Sequence, residues 1–214
     1  MALPSHAITR IAGVALAVLG LVAGVVLQRH QAQSTPAAAA AVGALWPAPA
    51  PLAPFELSDQ AGARFGRERL EGRWSLVFFG FTHCPDVCPT TLAALGSAVE
   101  KLRPAAGGDA YQVVFVSVDP ERDTPAAIAQ YVSHFGPGVV GITGSNEALE
   151  RLTRQLGVVH MRVGEGEDYL IDHSAQILLL DPQARLVGVL SPPHAGAAIA
   201  ERTRAIREFI ESRS

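Results

Sequence analysis

The sequence predicts an α/β domain built on a largely parallel or mixed sheet with helices on both faces. Three observations predict it. Continuous apolar runs of strand length alternate with segments of helical period. The helical segments open on capping residues. Two adjacent strands near the carboxyl end are joined by the short turn Pro182-Gln183-Ala184.

Along the chain, "FELSDQAGARF" from Phe55 reads as two short strands around a Gln-Ala-Gly turn. "WSLVFFGF" (74–81) is apolar without alternation, as a strand buried on both faces must be. Residues 89–102 carry apolar side chains at 92, 95, 99 and 102, a helical period with Pro89 in the first turn. "YQVVFVSVD" (111–119) is a second buried strand. The first crossover, strand 74–81, helix 89–102, strand 111–119, is then a right-handed βαβ unit. A helix over 124–135 starts on Thr124 as cap with Pro125 at its first position. A short strand follows near "VVGIT", then a helix with Ser145 as cap and Gly157 as stop, the strands "AQILLLD" and "RLVGVL", and an amphipathic helix over 195–211. There is no internal repeat.

The chain has 214 residues, enough for one domain with its own core. From Phe55 onward it carries 15 basic and 20 acidic residues, which argues against nucleic acid as a partner. Ahead of the domain, "IAGVALAVLGLVAGVVL" (11–27) is an uncharged run of seventeen apolar or small residues, just long enough for a membrane-spanning helix. Residues 1–28 are therefore read as an amino-terminal transmembrane anchor, with a cleaved signal peptide as the competing reading; either one exports the domain. Residues 29–54, rich in alanine and proline, read as a tether, although Trp46 and Leu52 could instead pack on the domain. The domain itself is placed at 55–214.

Both cysteines, Cys84 and Cys88, lie in "FFGFTHCPDVCPTTL" (78–92), between the end of a buried strand and the start of its helix. Open α/β sheets place their reactive groups there. Residues four apart on a helical turn have β-carbons about 5–6 Å apart, so both sulfurs can reach one ion. Helix amide groups at that end favour thiolate, which suits metal binding and redox exchange alike. A closed structural zinc site wants four donors, and only two cysteines exist. A structural disulfide across so small a loop would constrain the unfolded chain little. A thioredoxin-like reductase uses CxxC, whereas three residues intervene here.

Among the seven histidines, His173 stands out. His83 adjoins Cys84, His134 ends a helix, His160 sits in an alternating apolar run and His194 opens the last helix; each has an ordinary structural reading. His173 lies in "DYLIDHSAQILLLDP", just before strand 176–181. In thioredoxin-like folds the loop before that strand faces the dithiol and carries a proline, whereas here Asp172, His173, Ser174 and Ala175 fill it. Two thiolates and one imidazole suit Cu(I), and such a set also accepts Cu(II). Asp172 is a candidate outer partner of the ring, or a turn cap. The acidic residues Glu165, Glu167 and Asp168 read as a solvated hairpin rather than as a cation-attracting run.

Three segments together resemble the Sco/SenC family: the cysteine segment 78–92, "VFVSVDPERDTP" (114–125) and "YLIDHSAQILLLDP" (169–182). Their order and flanking strands agree from about Phe55 to the end. The resemblance implies a membrane-tethered, thioredoxin-like copper chaperone for the binuclear copper centre of cytochrome c oxidase. By position, Cys84, Cys88 and His173 become copper ligands, and the two cysteines also form the redox disulfide. It assigns no role to Asp119. Implied partners are the oxidase subunit carrying that centre, a thiol reductant and a further copper chaperone. The implied location is a bacterial inner membrane, single-pass, with the domain in the periplasm. The rival reading is a thiol-disulfide reductase serving the oxidase subunit's cysteines. A peroxidase is weaker, because no arginine sits near Cys84 in sequence, and a copper or redox sensor is the remaining alternative.

Overall fold

The computed structural model describes residues 45–106, 110–166 and 168–213, together with 20, 21, 23 and 24. The chain divides near residue 40, and the second unit carries the fold below. The anchor expected over 11–27 falls largely outside the described residues; the four that are described are helical. Among the described residues no helix is long and apolar enough to cross a membrane.

The domain is built on a seven-stranded mixed sheet. Its strands are β1 (Glu56–Asp59), β2 (Arg64–Gly66), β3 (Trp74–Gly80), β4 (Tyr111–Ser117), β5 (Val139–Thr143), β8 (Ile177–Leu180) and β9 (Leu186–Leu190), in the order β2-β1-β5-β4-β3-β8-β9. β3, β4 and β5 are parallel neighbours, with Phe78 level with Phe115 and Gly80 with Ser117. β8 runs antiparallel to β3, and β9 antiparallel to β8. Every residue of β3 and β4 is buried, as their unbroken apolar sequences require. β6 (His160–Val163) and β7 (Leu170–His173) form a separate two-stranded hairpin.

Helices α1 (Val87–Ala106) and α2 (Pro125–Val132) are the two crossovers of the parallel strands. Both return on the same face because both crossovers step the same way across the sheet. On that face the Phe115 ring meets Tyr131 at 5.5 Å, and Gly141 leaves space for Ile128 and Val132. α4 (Gly196–Glu211) packs on α1, with Gly196 set against Ser97 and the Ala94 carbonyl. On the opposite face α3 (Asn146–Leu156) brings Leu152 and Leu156 over Val77, Val114, Val116, Ile142 and Leu180. This layout is the thioredoxin-like arrangement that the family resemblance implies.

The predicted helix signals operate as expected. Thr124 Oγ1 accepts the Ala127 N–H at 3.2 Å, and Ser145 Oγ accepts the Ala148 N–H at 3.3 Å. Gly157 ends α3 at φ 66°, a left-handed conformation that glycine adopts without steric cost. The helix predicted over 89–102 is longer at both ends, starting at Val87 and continuing through Pro104.

The carboxyl end of the predicted tether belongs to the domain. Trp46 N–H donates to the Val187 carbonyl at 2.8 Å, and Leu52 N–H donates to the Ala184 carbonyl at 3.0 Å. Leu45 and Pro51 make isolated bridges to Gly188 and Arg185, and Leu52 is only 4% exposed. The physical reason is the free edge of β9, whose unpaired backbone groups accept an extended chain, including one with proline. Composition suggested a spacer because alanine and proline build no core of their own; here they borrow one. Leu52→Ala should therefore lower unfolding stability by about 2–3 kcal/mol in a denaturant titration. An unchanged midpoint would contradict the docking.

Candidate metal centre

The centre starts from the carboxyl end of β3. Beyond Gly80 the chain turns through Phe81, Thr82 and His83 to Cys84, and α1 begins three residues later. The turn is held by Asp123, fully buried, from the loop after β4. Its carboxylate accepts the Thr82 N–H at 2.9 Å, the Thr82 hydroxyl at 2.5 Å and the Ser117 hydroxyl at 2.5 Å. Three donors on one buried carboxylate compensate its removal from water.

Cys84 and Cys88 differ in setting. Cys84 is partly exposed, and its sulfur accepts the Cys88 N–H at 3.4 Å, a direct contact with a helix-opening amide. Cys88 is fully buried. Its sulfur lies over Gly80, where an added Cβ would come within 2.8 Å of it. Burial pushes the Cys88 thiol up, and hydrogen bonding with Cys84 adds to this, while a backbone contact at Phe81 opposes it.

His173 closes the group from the end of β7. Phe78 and Phe81 meet its ring edge-on at centroid distances of 5.9 and 6.1 Å. Its Nδ1 lies 3.2 Å from the Ser174 carbonyl. A carbonyl only accepts, so Nδ1 carries the proton and Nε2 keeps its lone pair. Nε2 points at Cys88 Sγ, 3.4 Å away. Burial lowers the imidazole's pKa, favouring the neutral ring that a metal requires. His194 steadies the next turn by donating from Nε2 to the Ala175 carbonyl at 2.7 Å.

The two sulfurs and Nε2 all lie within 4.8 Å of one another. An ion bonded to three coplanar donors at about 2.0–2.3 Å holds them about 3.5–4 Å apart, so this set closes on an ion with small side-chain shifts. Two soft sulfurs and one imidazole define a site for a thiophilic transition metal. It opens into a depression of about 300 Å3 lined by Phe81, Pro85, Val87, Leu170 and Asp172. A larger hollow of about 640 Å3 lies beside it, between His83, Glu121, Arg122, Arg162 and Tyr169.

The structure brings together all three residues picked from the sequence. It does not give Asp172 the predicted part. The nitrogen opposite Cys88 bonds to the Ser174 carbonyl, and Asp172, exposed at the rim of the depression, bears on the ring through its charge. Strand alternation is the reason: neighbours of an inward residue point outward. His83 turns to Thr82 and Asp123 and remains 55% exposed. Glu167 lies outside the described residues. Gly80 and Asp123 escaped the sequence reading, and His194 carried only an ordinary structural reading; only the glycine interrupting the apolar run before Cys84 offered a visible sign.

The fold and donor set together define a thioredoxin-like domain with a soft-metal centre, and known proteins share both. The SCO1/SenC family model matches residues 47–208, and the chain belongs to this family. It is 40% identical over 142 residues to "Protein SCO1 homolog 1, mitochondrial" of Arabidopsis thaliana, a match covering 66% of this chain and 42% of the relative's length. Among solved structures, Arabidopsis thaliana ScoI with copper bound aligns at TM-score 0.69 and 37% identity, covering 74% of this chain and 99% of that one. Bradyrhizobium japonicum ScoI with copper bound aligns at 0.64 and 35%, covering 73% and 99%.

Two predictions come from this geometry. At neutral pH a small alkylating reagent should modify Cys84 at least about tenfold faster than Cys88, because a buried thiol with a raised pKa stays protonated; equal rates by peptide mass mapping would contradict the asymmetry. Gly80→Ala should cost about 1–3 kcal/mol of stability and displace the Cys88 sulfur. A variant with the parent's stability and alkylation pattern would show that Cys88 does not depend on that glycine.

Proposed function

We propose that this protein is a membrane-tethered copper metallochaperone. It holds copper between Cys84, Cys88 and His173 and passes it to the binuclear copper centre of cytochrome c oxidase. The observation that carries the reading is the convergence of two sulfurs and one proton-free imidazole nitrogen within 4.8 Å. The copper-bound Arabidopsis and Bradyrhizobium structures support copper as the cargo. The apolar run at 11–27 supports a single-pass anchor, and the family resemblance supports a bacterial inner membrane with the domain in the periplasm.

The chain's own residues supply the steps of a cycle. In an oxidising compartment a disulfide-bearing oxidant takes two electrons and two protons from the cysteine pair, which closes to its own disulfide as the oxidant becomes a dithiol. A dithiol reductant gives the pair two electrons and two protons and itself becomes a disulfide. Cu(I), delivered by another copper chaperone, then displaces the two thiol protons, while Nε2 of His173 donates with no proton to lose. Cys84, the accessible sulfur, is where incoming ligands of the receiving subunit meet the cargo; Cys88 and His173 hold it from below until the exchange completes. This is ligand exchange rather than catalysis of a reaction. A thiol-disulfide reductase would use the same sulfurs and has no need of the imidazole.

His173→Ala separates the two readings. Under the chaperone reading, Cu(I) affinity of the reduced protein, measured by competition with a chromophoric chelator, should fall by at least about 100-fold, with the rate of disulfide exchange nearly unchanged. A variant that holds copper as tightly as the parent would remove His173 from the site and favour plain dithiol chemistry.

A further inference from the structure

The segments that carry the donor atoms belong to different parts of the fold. Cys84 and Cys88 stand on the main sheet's first crossover, whereas His173 ends a hairpin that pairs with no strand of the main sheet among the described residues. A two-stranded ribbon by itself is at best marginally stable in water. Much of this one faces solvent: Met161 is 62% exposed, and Val163 and Leu170 are about half exposed. Something must hold it down if the imidazole is to stay over Cys88.

Tyr169, the residue before β7, makes the attachment. Its ring is buried, and its hydroxyl donates to Asp119 Oδ1 at 2.5 Å. The guanidinium carbons of Arg122 and Arg162 each lie 3.6 Å from the ring centroid. Two groups that close to one centroid occupy opposite faces, so Arg122 of the domain and Arg162 of the hairpin sandwich the phenol. Arg122 Nε also donates to Asp119 Oδ2 at 2.6 Å, and Arg162 reaches Glu121 at 3.3 Å. Asp119 is joined in turn to the cysteine turn. Its N–H donates to Ser117 Oγ at 3.1 Å, the Ser117 hydroxyl donates to Asp123, and Asp123 accepts the Thr82 N–H. One continuous hydrogen-bonded path thus runs from the hairpin's Tyr169 to the residue two before Cys84.

We propose that Tyr169 is a positioning residue for His173, clamping the hairpin to the loop after β4 so that the imidazole remains in register with the two sulfurs. The clamp touches neither copper nor its ligands, and its bearing on copper rests on the chaperone reading above. It also explains why the segment 114–125 matters to the metal centre, since Asp123 fixes the cysteine side while Asp119 with Arg122 fixes the histidine side. Burial and the Asp119 carboxylate push the phenol up to about 12, so it keeps the proton it donates.

Opening of the hairpin reduces apparent copper affinity only in proportion to the closed fraction that is lost. Hydrogen exchange reports the opening itself. The test is therefore amide exchange by mass spectrometry on the reduced, copper-free full chain, for the parent, Tyr169→Phe and Tyr169→Ala. Phe keeps the stacked ring and loses one hydrogen bond to a carboxylate, so exchange over 160–163 and 170–173 should quicken about tenfold. Ala also loses both cation–π contacts, so exchange there should quicken about 100-fold or more. In both variants the amides of β3 and β4 should keep the parent's protection. Unchanged hairpin exchange in both variants would overturn the clamp, as would acceleration spread evenly over the domain. A parent whose copper binding ignores His173→Ala would instead remove the chaperone reading, and the hairpin exchange would still decide the clamp.

Discussion

The 3.4 Å approach of His173 Nε2 to the buried Cys88 sulfur is the contact on which the rest depends. It joins residues 85 positions apart, one at a helix start and one at a strand end. Without it the cysteine pair is an ordinary dithiol on a thioredoxin-like sheet. With it the same sulfurs become two thirds of a metal site, and the features around them acquire a purpose. Gly80 makes room for the sulfur, Phe78 and Phe81 bracket the imidazole edge-on, and the Ser174 carbonyl fixes which nitrogen faces inward.

The environment divides the labour between the sulfurs. Cys88 sits in an apolar setting that disfavours a bare thiolate, so its deprotonation is coupled to arrival of a cation whose charge offsets the desolvation. Cys84 is reachable from solvent and touches a helix amide. A buried, proton-retaining donor beside an accessible one suits a protein that must hold an ion firmly enough to carry it and yet expose one ligand for exchange. The parallel strands beneath supply the rigid base: β3 and β4 end side by side, and the turns after both meet at Asp123.

Most of the fold was legible because its signals are local. Unbroken apolar runs marked β3 and β4, and Thr124, Ser145 and Gly157 marked helix ends by side-chain or backbone chemistry that needs no tertiary context. The three donors were legible for a different reason: cysteine and histidine are scarce here, and each stood beside a recognisable buried strand. What the sequence hid was relational. Asp172 was the natural guess as the ring's partner because it is adjacent, yet β alternation turns an adjacent side chain outward. Asp123, Tyr169 and His194 act on residues 41, 50 and 19 positions away, through contacts that only the assembled sheet creates. The docking of Leu52 stood only as the alternative to a tether, since nothing in alanine and proline announces that an open strand edge is waiting for them.

The central claim is that one ion is bound by two sulfurs and one imidazole together. X-ray absorption at the copper edge of the reduced protein loaded with one equivalent of Cu(I) tests it most directly. The account predicts a first shell of two sulfur atoms at about 2.2–2.3 Å and one nitrogen at about 2.0 Å, with the outer-shell scattering of an imidazole ring. A shell of sulfur alone, with no imidazole scattering, would contradict it.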